Sequence, residues 1–177
     1  MCWAFSILSL FKLAAYIQTT HQVYGHNGEV FHPFAFRTHA HQIGTVISGY
    51  RIRDGEWTLI GKKDPKLPQM FYPVENRQSL DYVNGDHLAM RCTMVSYRQR
   101  ITYMGATNDD EMCNFYIMHY KTQDDEKKIR DMDSSVERVG IYRPGGLWNE
   151  APEDVNRDAS TFDGVFYPEG PLESPSV

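Results

Sequence analysis

Between residues 30 and 121 the apolar positions keep no 3.6-residue period. β-Branched and aromatic residues gather instead into short runs separated by turn residues, which is the pattern of strands. The clearest unit is TVISGYRIR, then Asp54 and Gly55, then EWTLIGKK. Asp-Gly tolerates the positive φ angles of a two-residue type I′ turn, so these runs predict a hairpin. Asn84 and Gly85 mark another strand break, and the runs MFYPVE, HLAMRCTMV, RITYM and NFYIMHYK predict further strands. Their spacing suits a sandwich or jelly roll. The expected fold is all-β, an antiparallel jelly-roll-like β-sandwich over residues 21–123 with a flexible acidic C-terminal tail.

The two ends differ from this middle. Residues 1–20, MCWAFSILSLFKLAAYIQTT, form an apolar run broken by Lys12, with no basic start and small residues suited to cleavage only around Ala14 and Ala15. A signal peptide, a short membrane anchor and an amphipathic core helix all remain open, and the run is shorter than the ~20 residues a span usually needs. Residues 1–123 carry 12 basic and 10 acidic groups, whereas residues 124–177 carry 6 basic and 13 acidic. TQDDEKKIRDMDSSVERVG could form a short charged helix, and the Pro-, Gly- and acid-rich stretch from 150 to 177 is expected to be flexible. Its neighbourhood holds Trp148, Phe162, Phe166 and Tyr167, which could touch the domain or a partner.

A chain of 177 residues with 41% apolar residues, 23% charged residues and net charge −5 has room for one globular domain and is neither disordered nor fibrous. With pI near 5.8 and no Lys/Arg cluster, it lacks the basic stripe that a nucleic-acid or anionic-membrane partner requires. Three cysteines are too few for a disulfide-built miniprotein. Cys92 and Cys113 could bridge or remain buried thiols, while Cys2 stands apart. An oxidising compartment is compatible with either.

Two predicted strands carry unusual faces. In FAFRTHAHQIG, Arg37, His39 and His41 stand at i, i+2 and i+4, so an extended segment sends all three to one side, with successive side chains about 7 Å apart. That lets two imidazoles converge on one metal ion, although histidines also alternate on ordinary surface strands. In EMCNFYIMHY, Met112, Asn114, Tyr116 and Met118 share one face and Cys113, Phe115 and Ile117 the other. A doubly buried core strand would explain the methionines and aromatics, but a buried Asn114 needs hydrogen-bond partners. Thioether sulfur prefers Cu(I) and imidazole tolerates both copper oxidation states, so two histidines with a methionine form a sensible redox-copper donor set. His21, His26, His32, His87 and His119 form no such pair and are expected to be ordinary surface or core residues.

The segments HPFAFRTHAHQIGTVISGYRIRDGEWTLIGKKDPKLPQMFYPVE and MGATNDDEMCNFYIMHY resemble the peptidylglycine α-hydroxylating monooxygenase family of copper type II, ascorbate-dependent monooxygenases, in its C-terminal catalytic-core half. The likeness covers about residues 32–121, with HxH, SGYR, WTLIG, PKLPQMFYPVE and DEMCN-x-YIM in order. The dopamine hydroxylase branch shares HxH and EMC but lacks SGYR and FYPVE. The resemblance implies copper-, ascorbate- and oxygen-dependent hydroxylation of the α carbon of a C-terminal glycine, the first step of peptide amidation. It implies a jelly-roll-like fold, His39, His41 and Met112 as copper ligands and catalytic residues, and Arg37, Asn114 and Tyr116 as holders of the substrate carboxylate. Met118 would line the same pocket, and Cys92 with Cys113 would match a family disulfide.

The family's electron-accepting copper lies on an N-terminal domain bearing further histidines, and only 31 residues precede the likeness. A second family disulfide would begin near Tyr24, where there is no cysteine. The expected function is therefore the substrate- and oxygen-binding half of such an enzyme. Its partners would be glycine-extended peptides and a separate chain carrying the other copper domain. The alternative is a non-catalytic copper- or peptide-binding fragment. The expected location is the secretory pathway or outside the cell, with membrane association through residues 1–20 left open.

Overall fold

The structure, a computed structural model, describes residues 4–5, 13–23, 29–121, 142–144 and 146–168. Five strands form one antiparallel sheet in the order β11-β2-β8-β4-β5: β2 (Leu13–Gln22), β4 (Gly44–Arg53), β5 (Glu56–Lys63), β8 (His87–Ser96) and β11 (Tyr142–Pro144). The second sheet is built on β3 (Val30–His39), flanked by β10 (Asn114–Tyr120) on one side and by β6 (Tyr72–Pro73) and β7 (Tyr82–Val83) on the other. Short pairs complete the set, β1 (Ala4–Phe5) with β9 (Thr102–Tyr103) and β12 (Thr161–Phe162) with β13 (Val165–Phe166). The mostly antiparallel, all-β architecture agrees with the strand pattern of the sequence. The runs at 70–75 and 100–104 yield only the two-residue β6 and β9.

The β4–β5 hairpin turns where the dipeptide chemistry requires it, with Asp54 at φ 51° and Gly55 at φ 82°. Between the sheets, Phe36 of β3 and Phe115 of β10 stack at 5.5 Å with planes 9° apart. The other sheet receives this ring pair on glycines, since a Cβ at Gly49 would fall inside the Phe115 ring and one at Gly61 inside the Phe36 ring. The glycine of SGYR and that of WTLIG thus permit close approach of the two layers. Ile47, Cys92, Met94, Ile43 and Cys113 fill the adjoining core. The Cys92–Cys113 disulfide, with Cα atoms 5.8 Å apart, links β8 to the residue before β10.

Two expectations about the ends change. The apolar run proposed as a leader does not stop short of the domain: β2 begins at Leu13, and its ladder with β8 runs from Leu13↔Ser96 to Gln22↔His87. Apart from Ala4 and Phe5, residues 1–12, Cys2 among them, lie outside the described residues. Residues 146–159, part of the segment expected to be a flexible tail, instead cover the outer face of the five-stranded sheet. That face carries Tyr50, Ile52, Trp57, Leu59 and Ala89, which would leave a large apolar patch in water.

A 3₁₀ turn (Gly146–Glu150) and α1 (Glu153–Ala159) supply the cover, with Trp148 2% exposed and Ala159 fully buried. Arg91 is 2% exposed and lies between the rings of Tyr16 and Trp148, at 4.6 and 4.3 Å. Asp158 of α1 accepts hydrogen bonds from the Tyr50 hydroxyl (2.6 Å) and Lys62 Nζ (2.6 Å). Burial and that carboxylate together push the Tyr50 phenol far up, keeping it a donor. The charged helix expected over 122–140 lies outside the described residues.

Candidate metal centre

Arg37 and His39 leave β3 on the face turned away from the core, because Phe36 and Thr38 before and between them are buried. Across the β3–β10 ladder, Asn114 pairs with His39 and Tyr116 with Arg37. The two loaded strands of the sequence are therefore neighbours, and their polar faces coincide. The core-strand reading of EMCNFYIMHY is set aside, since Tyr116 is 45% and Met118 42% exposed.

The strand geometry stops sooner than the spacing suggests. β3 ends at His39 and β10 begins at Asn114, so His41 and Met112 stand on the connecting segments rather than on strand faces. Tertiary hydrogen bonds replace strand alternation in placing them. The rings of His39 and His41 still approach to 5.4 Å between centroids, nearly perpendicular at 83°. Glu111, 1% exposed, accepts the main-chain N–H of His41 and, at 2.8 Å each, those of Ile43 and Met112. One carboxylate thus joins the loop after β3 to the loop before β10. The Asn114 amide reaches back to the Met112 sulfur at 3.8 Å.

Each imidazole has one nitrogen engaged. His39 Nδ1 meets Gln69 Oε1 at 2.5 Å, and His41 Nδ1 meets the Asp110 carbonyl oxygen at 3.0 Å. A carbonyl or amide oxygen only accepts, so in each neutral ring it is Nδ1 that carries the proton and Nε2 that keeps the lone pair. Metal-binding histidines are held in this way. The Asp110 side chain is kept below the usual carboxylate range by the Thr107 hydroxyl and N–H, with His41 and Arg100 adding to the effect. Among the described residues no group of three His, Cys, Asp or Glu gathers for a metal. Two imidazoles come together here, and Met112 is tied to them through Glu111, which holds the main chains of both His41 and Met112; two imidazoles with a thioether would suit copper better than zinc.

Beside this set, the Arg37 guanidinium lies 5.7 Å from the centre of the Tyr116 ring. Its Nε is buried without a hydrogen-bond partner, and among the described residues no acidic side chain pairs with it. Asn114, Tyr116 and Met118 continue along the same side of β10. Clefts of about 600, 670 and 450 Å³ lie elsewhere, and Arg37, His39, His41 and Met112 line none of them. The candidate site is a half-buried sheet face on which Tyr116 and Met118 are the exposed side chains.

Gln69, Asp110 and Glu111 are the site residues that the sequence does not single out as functional. Their signals are present in it, an acidic pair directly before Met112 and a glutamine next to a proline in the loop after β5. Of the remaining histidines, His32 stacks on Tyr120 at 4.9 Å and His119 bonds the Tyr82 hydroxyl at 2.5 Å. Neither joins His39 and His41, and His26 lies outside the described residues.

Residues 10–138 match the family described as copper type II ascorbate-dependent monooxygenase, C-terminal domain. The match begins before residue 32 and ends after residue 121, so it takes in β2 as well as the two segments that carry the resemblance. Among curated relatives, peptidyl-glycine alpha-amidating monooxygenase B of Xenopus laevis is 52% identical over 96 residues, covering 54% of this chain and 11% of that protein. Peptidylglycine alpha-amidating monooxygenase of Rattus norvegicus is 53% identical over 90 residues, 50% of this chain and 9% of that protein. DBH-like monooxygenase protein 1 of Gallus gallus is 29% identical over 126 residues, 66% of this chain and 20% of that protein. The chain spans about a tenth of the length of the two amidating relatives.

Proposed function

Because this chain belongs to the copper type II ascorbate-dependent monooxygenase family, through its C-terminal domain, we propose that it is the substrate-binding half of a peptidylglycine α-hydroxylating monooxygenase. The observation that carries the proposal is the shared face of β3 and β10. There, Arg37, a guanidinium with no acidic partner among the described residues, shares a strand face with His39, and His41 meets the His39 ring from the segment that follows, each imidazole engaged through Nδ1. His39, His41 and Met112 would hold one copper. Bound there, copper would supply one-electron redox chemistry toward molecular oxygen, with ascorbate as the reductant.

The chain's own residues perform the recognition. Arg37 offers a planar fork of N–H donors that fits a carboxylate at two points, which a peptide's C-terminal glycine provides. The Tyr116 ring beneath it limits the guanidinium's freedom, and the Asn114 amide stands between the carboxylate site and Met112. A glycine held this way keeps its α carbon one bond from the clamped carboxylate, on the strand face that also carries His39. Holding the reacting carbon in place in this manner is a large part of what a binding face contributes to rate. Met118, next along the strand, would contact the residues preceding the glycine.

The proposed partners are glycine-extended peptides and a second domain carrying the electron-accepting copper, on a separate chain or elsewhere in the same protein. The proposed location is the secretory pathway, supported by the Cys92–Cys113 disulfide. Calorimetric titration with a glycine-ended peptide and its amidated counterpart tests the substrate assignment. The carboxylate form should bind and the amide should not; equal binding of the two would refute it.

A further inference from the structure

The proton on His39 is placed by a residue far from it in sequence. Gln69 sits in the loop after β5 and turns its amide group toward the loop that follows β3. Its Nε2 donates to the carbonyl oxygens of Ala40 (3.1 Å) and Pro65 (2.9 Å). Both are acceptors only, so the NH₂ must face them and the amide oxygen must face His39. That oxygen in turn accepts only, so His39 Nδ1 must be the protonated nitrogen. Free histidine in water has no such constraint and favours the other tautomer, with the proton on Nε2.

We propose that Gln69 is the positioning residue of the candidate metal centre, fixing the tautomer and ring plane of His39 so that Nε2 faces the metal. Its bond to the Ala40 carbonyl, in the residue between the two histidines, also ties the amide to the main chain that carries His41. Hydrogen bonds within the loop fix its shape: Leu67 N–H donates to the Asp64 carbonyl (3.1 Å), Met70 N–H to that of Pro68 (2.8 Å), and the Tyr72 hydroxyl also to that of Pro68 (2.6 Å). These bonds hold Gln69 inward while Leu67, Met70 and Phe71 remain exposed. Positioning residues of this kind typically alter metal affinity about 10–100-fold when removed. The proposal rests on the copper reading only for the identity of the metal; the tautomer is a property of the metal-free chain.

The test uses the ¹⁵N-labelled, metal-free full chain. Long-range ¹H–¹⁵N correlation should show His39 protonated on Nδ1 in the wild type. Gln69→Leu should move it toward the Nε2-protonated form and weaken Cu(I) binding, measured against a competing chelator, by about 10-fold or more. Gln69→Glu keeps an acceptor oxygen for Nδ1 while losing the donors to Ala40 and Pro65, so His39 should stay protonated on Nδ1, a result that loss of loop packing alone would not produce. An unchanged tautomer in Gln69→Leu, or a wild-type His39 protonated on Nε2, would overturn the proposal. The tautomer shift in Gln69→Leu, found together with a wild-type chain that binds no copper, would support the role of Gln69 and refute the copper reading.

Discussion

Glu111 holds Ile43 by its main chain: the carboxylate Oε2 accepts the Ile43 N–H at 2.8 Å, while Oε1 takes those of His41 and Met112. Two proposed metal ligands from distant parts of the chain are thereby referred to one buried group. Glu111→Gln keeps the shape but presents NH₂ to N–H groups. It should cost about 1.5–3 kcal/mol in urea unfolding, the range for hydrogen bonds to a charged group, and weaken Cu(I) binding as well. Unchanged stability and affinity would mean that the two loops are held by something else.

Cys113 lies between Met112 and Asn114, so the disulfide to Cys92 anchors the site strand to the opposite sheet. With a sequence separation of 21 residues, the chain-entropy estimate for the bridge is about 3 kcal/mol. Reduction by dithiothreitol should lower the unfolding midpoint accordingly. A midpoint insensitive to reduction would show that the bridge adds nothing to the fold.

Substitution of Arg37 should separate peptide from metal. Arg37→Lys retains the charge but loses the two-point fork, and a loss of about 10-fold or more in affinity for a glycine-ended peptide is expected. Cu(I) affinity should stay unchanged. Parallel losses of both in titration would indicate that Arg37 supports the fold rather than the substrate.

Trp148 closes the outer face of the five-stranded sheet against Tyr50, Trp57 and the Arg91 guanidinium. Trp148→Ala should destabilise by about 3–5 kcal/mol, as large-to-small changes at buried aromatics do. The disulfide and metal site lie beyond the opposite face of that sheet and should retain their geometry in the folded fraction. A neutral effect in denaturant titration would return 146–168 to the status of a loose tail.

Asp86 gives the fold an acid-sensitive joint. Burial is the largest single influence on its carboxyl and pushes it up. The Arg53 guanidinium, the Val83 N–H and Arg51 outweigh burial and hold it below the usual value of 3.8. Because the folded value is depressed, the stabilisation is fully present above the unfolded carboxylate value and is lost as pH falls through and below it. Asp86→Asn should flatten the acid limb of stability against pH. An identical acid limb in the variant would place the sensitivity elsewhere.

How far the sequence exposes this fold depends on the range of the interactions involved. The β4–β5 hairpin is legible because Asp54 and Gly55 decide the turn locally. The pairing of Arg37 and His39 with Tyr116 and Asn114 is half legible: each strand shows its face, but nothing local says that the strands are neighbours. Strand alternation assigns His41 to the right side for an incomplete reason, since it follows the strand and is held by Glu111 and Asp110 from far along the chain. Residues 146–168 mislead because Pro, Gly and acidic composition resembles a solvated tail. Trp148 fits beside Arg91 only once β2, β4 and β8 exist as a surface. β2 is obscured likewise, its beginning belonging to an apolar run that composition alone does not divide.

The most direct measurement is copper stoichiometry of the purified chain under anaerobic ascorbate, by equilibrium dialysis against a Cu(I) chelator. One tightly held copper per chain, lost in the His39→Ala/His41→Ala double variant, is the expected result. No retained copper in the wild-type chain, or copper retained equally by the double variant, would contradict the assignment of this sheet face as a metal centre.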